Sequence, residues 1–558
     1  MEVKKRDSAV NSLDEFITKR KAKIAPTVNT IPLAKEIAEV IKETKKPIYI
    51  VGDYDVDGVC ASAILFKAIT DCKPYKPIVR LPRRHSEGYG LSTKIVDEIP
   101  TNTLLITVDN GIAAVEAIEK AIEKGIDVIV TDHHLKREDG ILPPVKLLLD
   151  PNAVGEQVYG QDGKISKFTQ YCGAGLAYKI AEHLVNNQEL LNELSTLAAV
   201  ATIADVVPLV DENWTIGTRF REIRRNEGLA ALCELFNLPE DISTTDIGFK
   251  IAPALNAPGR LLDNGAELSF ELLAYNDNSN ERAIKNFQYN EQRKDMTEEG
   301  ISVCHKIIED EMLYGDKVLI ITGNFNEGIV GILAGRMAEE FNVPSIVLTE
   351  VEKDGKRILK GSGRSARDVH LKNLLDKASD LMLGYGGHAG AAGLSLPIEN
   401  FELFVERLNS NVVLAKEDNT QYYDIYIKEG WKLSEYAENN LSLVESLAPY
   451  GEGNPEPVFL VNKVRLSPRG GFLFKKMGNN EQHIKLFGKN IDLLCFDMTN
   501  QYEEFGEPDV LTLIGKLSKN IFRDKISYQV EVINFEKYVP YTETNSLKKK
   551  LLERASKI

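Results

Sequence analysis

Residues 47–70 read PIYIVGDYDVDGVCASAILFKAIT. A short run rich in β-branched residues, Ile48 to Val51, meets a glycine and then three carboxylates within five residues, Asp53, Asp55 and Asp57. From Gly58 to Thr70 the text is mostly apolar and of helix length, so the segment predicts a buried strand, an acidic turn and a helix. The pattern repeats outward. YKPIVRL (75–81) reads as a strand and Ser92 to Ile99 as a helix; TLLITVD (103–109) is a strand, Ile112 to Lys124 a helix, and GIDVIVTD (125–132) a strand. Apolar runs of this length, separated by helices, predict a doubly wound α/β domain with a parallel sheet covered on both faces. Residues 173–204 read as helix and close it.

A charged helical stretch, roughly 277–312, leads to a second α/β unit with the strand KVLIITG, a helix near Gly331 to Glu340, and the strand PSIVLTE. Beyond about residue 420 short β-like runs recur (YDIYI, VFLVNKVRL, GFLFKK, HIKLF, DLLCF, VLTLIGKL, SYQVEVINF), which predicts a small antiparallel barrel. The resulting division is an N-terminal helical extension (1–46), a catalytic α/β domain (47–275), a connecting helix (276–313), a second α/β domain (314–415), a barrel (422–540) and a basic tail (541–558).

Each of the three Asp-bearing strand ends has a bland reading alone: a capping residue or a solvated turn. Asp-x-Asp-x-Asp-Gly also opens a calcium loop, but the twelfth position is Ile64, where a bidentate Glu is required. Taken together, Asp53, Asp55 and Asp57, then Val108-Asp109-Asn110-Gly111, then Thr131-Asp132-His133-His134, stand at the carboxyl ends of successive strands, where such a sheet gathers ligands. Asp205 ends the apolar run LAAVATIA, where a carboxylate is costly unless paired or metal-bound. Carboxylates plus imidazole favour Mn²⁺ or Mg²⁺, two ions per site, and the chemistry of two-metal hydrolysis. The glycines at 173 and 175 are not a dinucleotide fingerprint, because no strand precedes them and the third glycine is missing.

The motifs GDYDVDG, VDNG, TDHH, ATIADVVPL, LNAPGR (255–260), GSGRS, GGHAGAAG and GEGNPEPVF, in this order, resemble the DHH phosphoesterases, and among them the bacterial single-strand-specific exonucleases. The resemblance spans about residues 47–540. It implies a DHH catalytic domain, a DHH-associated substrate-binding domain and an OB-type barrel. By it, Asp55, Asp57, Asp109, His133 and Asp205 hold metal, with Asp53 a weaker candidate; Asp109 bridges the two ions and acts with Asp205 in catalysis, and His134 contacts the scissile phosphate. It further implies 5′-to-3′ degradation of single-stranded DNA to mononucleotides in repair and recombination, with a single-strand-binding protein and a helicase as partners of a monomer. Where the family usually has a His, this chain has Asn326, so contact strength or pH dependence is expected to differ.

The composition first argues the other way. Lys plus Arg is 68 against 83 Asp plus Glu, a net charge of −15 over 558 residues, which weighs against a binder held by overall positive charge. Locally the balance reverses: residues 75–90 carry +3, 355–367 carry +5 and 458–489 carry +6. In the last window Phe459, Phe472, Phe474 and Phe487 alternate with cations such as Lys475, the pattern of a single-strand binder that stacks bases and tracks phosphates; about half of those rings are expected in the core. Arg364 stands among small residues, Ser362 and Ser365, and can grip a phosphate with its fork. The Gly387-His388 loop lets backbone amides approach an anion. The resemblance makes Arg84, Ser362 and Arg364 anchors for a 5′ end and turns Arg260, beside Asn256, toward the cleft.

Six scattered cysteines without a CxxC pair fit a reducing compartment. The first residues lack the apolar core of a signal peptide, and the uncharged segment Leu381 to Ile398 holds five glycines and Pro397, so a cytoplasmic protein without a membrane span is expected. Two other functions stay open at this point: a DHH oligoribonuclease or cyclic-dinucleotide phosphodiesterase, against which residues 422–540 argue, and an inactive strand-binding scaffold, against which the intact acidic cluster argues.

Overall fold

The computed structural model describes residues 1–7, 10, 12–24, 29–160, 162–353, 355–416, 420–522 and 525–539. The basic tail expected at 541–558 lies outside them. Two compact units emerge, one spanning Pro26–Glu417 and the other joining Met1–Ala25 to Asp418–Ile558.

In the larger unit the first sheet holds β1 (Ile48–Val51), β2 (Ile78–Arg80), β3 (Leu104–Val108), β4 (Asp127–Thr131) and β5 (Leu147–Leu149), all parallel, in the order β2-β1-β3-β4-β5. The strand order reverses direction between β1 and β3, and ligands of a doubly wound sheet bind at such a switch point. Both acidic turns leave the sheet there. The helix after β1, α1 (Val56–Cys72), is buried from Val56 to Phe66 without a polar stripe, because it is packed on all sides. α2 (Val115–Glu123) covers the opposite face with Val115, Ala117, Ile118 and Ala121.

The stretch expected as one helix over 173–204 is two, α3 (Gly173–Leu184) and α4 (Gln188–Ala204). The break falls at Asn187, whose side-chain oxygen accepts from the amides of Glu189 and Leu190 and so caps α4. α5 (Ala252–Leu261) delivers the LNAPGR segment. α6 (Ser279–Asp310) is the long connector, 32 residues and about 48 Å at 1.5 Å per residue.

The second sheet of this unit runs β9-β10-β8-β7-β6, with β6 (Leu319–Gly323), β7 (Ser345–Lys353), β8 (Lys356–Arg364), β9 (Gly384–Gly387) and β10 (Ala391–Pro397). Only β6 and β7 are parallel; α7 (Val330–Phe341) crosses between them. The uncharged segment at 381–398 is therefore the β9–β10 hairpin. Among the described residues no helix is long and apolar enough to cross a membrane.

The smaller unit is built on a seven-stranded sheet, β11-β12-β16-β17-β15-β14-β13, made of β11 (Ile425–Ile427), β12 (Phe459–Arg465), β13 (Phe474–Met477), β14 (His483–Gly488), β15 (Ile491–Cys495), β16 (Val510–Phe522) and β17 (Lys525–Lys537). Most neighbours are antiparallel, as expected, but β11 with β12 and β15 with β17 run parallel. The N-terminus belongs to this unit. Val3–Lys5 pairs in parallel with Gln421–Tyr423, the Met1 ammonium meets Glu536 at 2.9 Å, and Arg6 meets the buried Asp424 at 2.7 Å. Only the later part of the expected extension, the helix Pro32–Glu43, joins the catalytic unit, through Ala34, Ile37, Ala38 and Ile41.

Candidate metal centre and strand-binding cleft

The acidic turns hold carboxylates where water is excluded. Asp53, Asp57 and Asp109 are each at most 3 % exposed. Asp55 caps α1, its Oδ1 accepting from Gly58 N at 3.1 Å. Asp109 leaves β3 with φ 62°, a left-handed conformation that non-glycine residues seldom take. Asp205 follows the last turn of α4. Ligand atoms of Asp53, Asp55 and Asp109 lie within 4.8 Å of one another; so do those of Asp57, His133 and Asp205, and those of Asp109, His133 and His134. His133 Nε2 is 3.1 Å from Asp109 Oδ1, 3.5 Å from Asp57 Oδ2 and 3.8 Å from Asp205 Oδ2. Every metal-ligand candidate read from the sequence is thus brought to one place.

The group fits cations. Among the described residues the buried Oδ1 of Asp53 makes no hydrogen bond, and the buried Oδ1 of Asp109 has only the His133 imidazole beside it, at 3.1 Å; a buried carboxylate oxygen so poorly partnered is costly unless a cation takes it. Burial first, then Asp57, Asp55 and Asp53, push Asp109 well above the usual carboxylate range. Burial and Asp55 do the same to Asp53, and burial with Asp57 and Asp55 moves Asp205 up to about 8. Burial lowers His133, which suits a neutral imidazole ligand. Acidic groups that resist ionising together are what two bound divalent ions relieve. Asp53, Asp55 and Asp109 would hold one, Asp57, His133 and Asp205 the other.

Sequence reading missed how Asp57 is held. The first amides of α3 close on it: Gly173 N donates to Oδ2 at 2.6 Å and Ala174 N to Oδ1 at 2.8 Å. A Cβ on Gly173 would lie 2.6 Å from the Asp109 Cβ, so only glycine lets the helix N-terminus come this close. The dismissed glycine pair therefore has a task, aiming a helix dipole at the carboxylates.

Asp132 is scaffold. Its Oδ2 accepts from Ile112 N at 2.8 Å, and its Oδ1 takes the His133 amide and the His134 Nδ1, at 2.7 and 2.8 Å. Burial alone would lower His134, but the Asp132 bond outweighs it and brings the imidazole to about 9. Tyr89, also missed, donates its hydroxyl to Asp109 O at 2.8 Å and stands 3.1 Å from His134 Nδ1, its ring edge-on to the imidazole.

Arginines gather beside this centre. Arg84 stacks over Tyr54, the residue between Asp53 and Asp55, at 4.5 Å. Arg260 donates from Nη1 to Gly328 O at 3.2 Å; burial, then Arg84, Arg293 and Arg364, lower it to about 9. Arg364 donates to Ser362 Oγ at 3.0 Å, and Ser362 Oγ to Ala392 O at 3.3 Å. Arg293, on α6, was not read from the sequence; the buried Asn290 Oδ1 accepts from its Nε and Nη2 at 3.2 and 3.0 Å. Guanidinium groups gathered around Arg260 with no carboxylate ion pair among the described residues call for an anion.

Other candidates have different surroundings. Asn256 is half-buried on α5. The Ser365 hydroxyl is spent on Val369 O, and Ser365 N on Gly390 O at 2.9 Å. Gly387 and His388 form the exposed β9–β10 turn, where His388 Nδ1 accepts from Gly390 N at 3.2 Å. Asn326 Oδ1 accepts from Gly328 N at 2.8 Å, within the turn that presents Gly328 O to Arg260. In the smaller unit Phe472 is 71 % exposed and Lys475 is exposed, whereas Phe474 packs edge-on against the buried Tyr502.

Three families match along the chain: the DHH family, N-terminal domain, over residues 47–202, the DHHA1 domain over 315–414, and the RecJ OB domain over 430–534. The chain is 32% identical over 515 residues to the single-stranded-DNA-specific exonuclease RecJ of Bacillus subtilis, covering 89% of itself and 62% of that relative. It thus spans somewhat less than two thirds of that protein's length. With the Haemophilus influenzae exonuclease of the same name the identity is 31% over 527 residues and the coverage 88% of both chains. The structure of Thermus thermophilus RecJ in complex with Mn²⁺ superposes with a TM-score of 0.72 at 25% identity, over 93% of this chain and 73% of that one. The chain belongs to the RecJ family of single-stranded-DNA-specific exonucleases.

Proposed function

We propose that this chain is a divalent-metal-dependent exonuclease that degrades single-stranded DNA to mononucleotides from the 5′ end. The carrying observation is the neighbourhood of two ligand triads and an arginine pocket within one compact unit. Asp53, Asp55, Asp57, Asp109, His133 and Asp205 would hold two Mn²⁺ or Mg²⁺ ions. When bound, such ions would supply Lewis acidity and an activated water at neutral pH. Manganese in the Thermus relative supports the choice.

The remaining steps fall to side chains. Arg84, Ser362 and Arg364 grip the terminal phosphate, which sets the polarity, and Arg260 meets the phosphate chain between that anchor and the carboxylates. His134, held by Asp132, donates to an oxygen of the scissile phosphate as charge builds. Burial, then Asp57 and Asp55, oppose ionisation of Asp205, and bound cations would relieve that.

The match to a RecJ OB domain weighs against a dinucleotide phosphodiesterase, and a crowded cluster of buried carboxylates, with Asp53 Oδ1 unpartnered among the described residues, weighs against an inert scaffold. The same reading makes the protein a cytoplasmic monomer in repair and recombination, working beside a single-strand-binding protein and a helicase. The test is digestion of 5′- and 3′-labelled single strands, duplex DNA and RNA with Mn²⁺, Mg²⁺ or EDTA. The 5′ label is expected to leave first, from single-stranded DNA only and not in EDTA. Loss of the 3′ label first, or equal attack on duplex, would overturn the assignment.

A further inference from the structure

Most of the helical run from Ile247 to Arg260 is buried. The residues in it that reach solvent are Gly248, Phe249, Lys250, Pro253, Asn256 and Arg260. Phe249, Pro253, Asn256 and Arg260 follow one another at steps of four, three and four, so they form one stripe along the helix. Its inner end, Arg260, feels Asp55 on one side and Arg84 and Arg364 on the other. Its outer end, Phe249, lies about 16 Å away at 1.5 Å per residue.

The sequence builds that outer end. Pro253 has no N–H for the carbonyl four residues back, and its ring crowds that carbonyl, which belongs to Phe249. The chain answers with a wider turn: Ile247–Ile251 is π-helix, closed by Ala252 N donating to Ile247 O. Single π turns of this kind recur at functional sites. Phe249 is left 73 % exposed, and among the described residues its ring meets no other ring and no cation. A Cβ on Gly248 would meet nothing within 4 Å, so the space beside the ring is open. A phenylalanine normally spends its large apolar surface on a core. This one faces water at the end of a stripe that leads to the metal centre.

We propose that Phe249 is a stacking platform for one base of the incoming strand, on the 3′ side of the phosphate that is cut. Arg260 takes the backbone at the cleft, and Asn256 and Pro253 line the path outward. The ring then meets a base roughly five stacked nucleotides on, at about 3.4 Å each. Stacking on a ring is indifferent to base identity, as an enzyme that consumes any sequence requires. A docked protein would need about 800 Å² of contact, whereas this stripe is narrow and runs into the metal centre. The platform rests on the reading of the chain as a nuclease that cuts single strands from the 5′ end.

The test compares a twelve-residue 5′-phosphorylated thymidine oligomer with the dinucleotide, which is too short to reach Phe249. With Mn²⁺ and the full-length chain, Phe249→Ala should raise KM for the oligomer roughly 5- to 150-fold, the worth of one base stacked on a ring. Its kcat should stay within about twofold of wild type, and KM for the dinucleotide should not move. Phe249→Trp should keep the wild-type KM, and Phe249→Leu, with bulk but no flat face, should behave as Phe249→Ala. In EDTA, the anisotropy of a 3′-fluorescein oligomer should report a loss of affinity by the same factor in Phe249→Ala. An unchanged KM for the oligomer in Phe249→Ala overturns the platform, as does an equal rise for the dinucleotide or a Phe249→Leu variant as good as Phe249→Trp. A strand that loses affinity in Phe249→Ala yet is never cleaved in Mn²⁺ by the wild type supports the platform and sinks the nuclease reading.

Discussion

The guanidinium carbon of Arg84 lies 4.5 Å from the centre of the Tyr54 ring, and Tyr54 stands between Asp53 and Asp55 in the chain. One aromatic residue therefore couples the proposed 5′-end anchor to the carboxylate loop. The ring, and not its hydroxyl, carries the coupling. Tyr54→Phe should leave KM for a 5′-phosphorylated strand near wild type. Tyr54→Leu should raise it roughly 2- to 30-fold, the worth of a cation–π contact of about 0.5–2 kcal/mol. Equal KM values for the two variants would show that the stacking is incidental.

Tyr89 acts on the other side of the same loop. Its hydroxyl has one proton, donated to Asp109 O at 2.8 Å, and its oxygen faces His134 Nδ1 at 3.1 Å. Removing that oxygen leaves His134 with Asp132 alone to set its ring. Tyr89→Phe is expected to lower kcat about tenfold with KM unchanged, consistent with the loss of one hydrogen bond to a charged group, about 1.5–3 kcal/mol at most. A change in KM with kcat unchanged would place Tyr89 in strand binding instead.

These two tyrosines mark where sequence reading stops. The strand–carboxylate–helix pattern at 47–58 was legible because burial on both faces leaves apolar runs that end abruptly at polar turns, and all six ligand candidates do converge. What was hidden depends on contacts between distant segments. The Gly173 and Ala174 amides reach Asp57 across more than a hundred residues. Arg293 looks like one more charge on a helix until Asn290 and Arg260 are seen around it. Phe474 obeys the same alternation as Phe472, yet one packs on Tyr502 and the other faces solvent. Three-residue pairings such as Val3–Lys5 with Gln421–Tyr423 carry no periodicity at all.

Arg364 should set the preference for a phosphorylated 5′ end. Its guanidinium is held by Ser362 Oγ and by Gly363 O, both at 3.0 Å, which pre-orients the fork. A charged hydrogen bond contributes about 1.5–3 kcal/mol, so Arg364→Ala should cut kcat/KM for 5′-phosphorylated strands by roughly 10- to 150-fold and for 5′-hydroxyl strands far less. Arg364→Lys should recover only part, because a point charge cannot match a bidentate contact. Equal losses on both ends would remove Arg364 from the terminal-phosphate site.

Asp109 gives the sharpest test because stability and activity should move in opposite directions. Without metal, its buried carboxylate is opposed by burial and by Asp57, Asp55 and Asp53, with only the His133 imidazole near its Oδ1. Asp109→Asn removes a group that on folding must either stay charged among those neighbours or take up a proton, a cost either way, so in EDTA the variant should melt a few degrees above the wild type. With Mn²⁺ the order should reverse: ligand binding stabilises the folded wild type by mass action, while the variant has lost the carboxylate shared between two ligand sets. Cleavage should fall at least about a thousandfold, several kcal/mol of barrier. The measurement is a pair of thermal melts, with EDTA and with Mn²⁺, beside the nuclease assay. A variant that melts below wild type in EDTA yet gains the same Mn²⁺ shift would show that Asp109 is a structural residue and that the ions are held elsewhere.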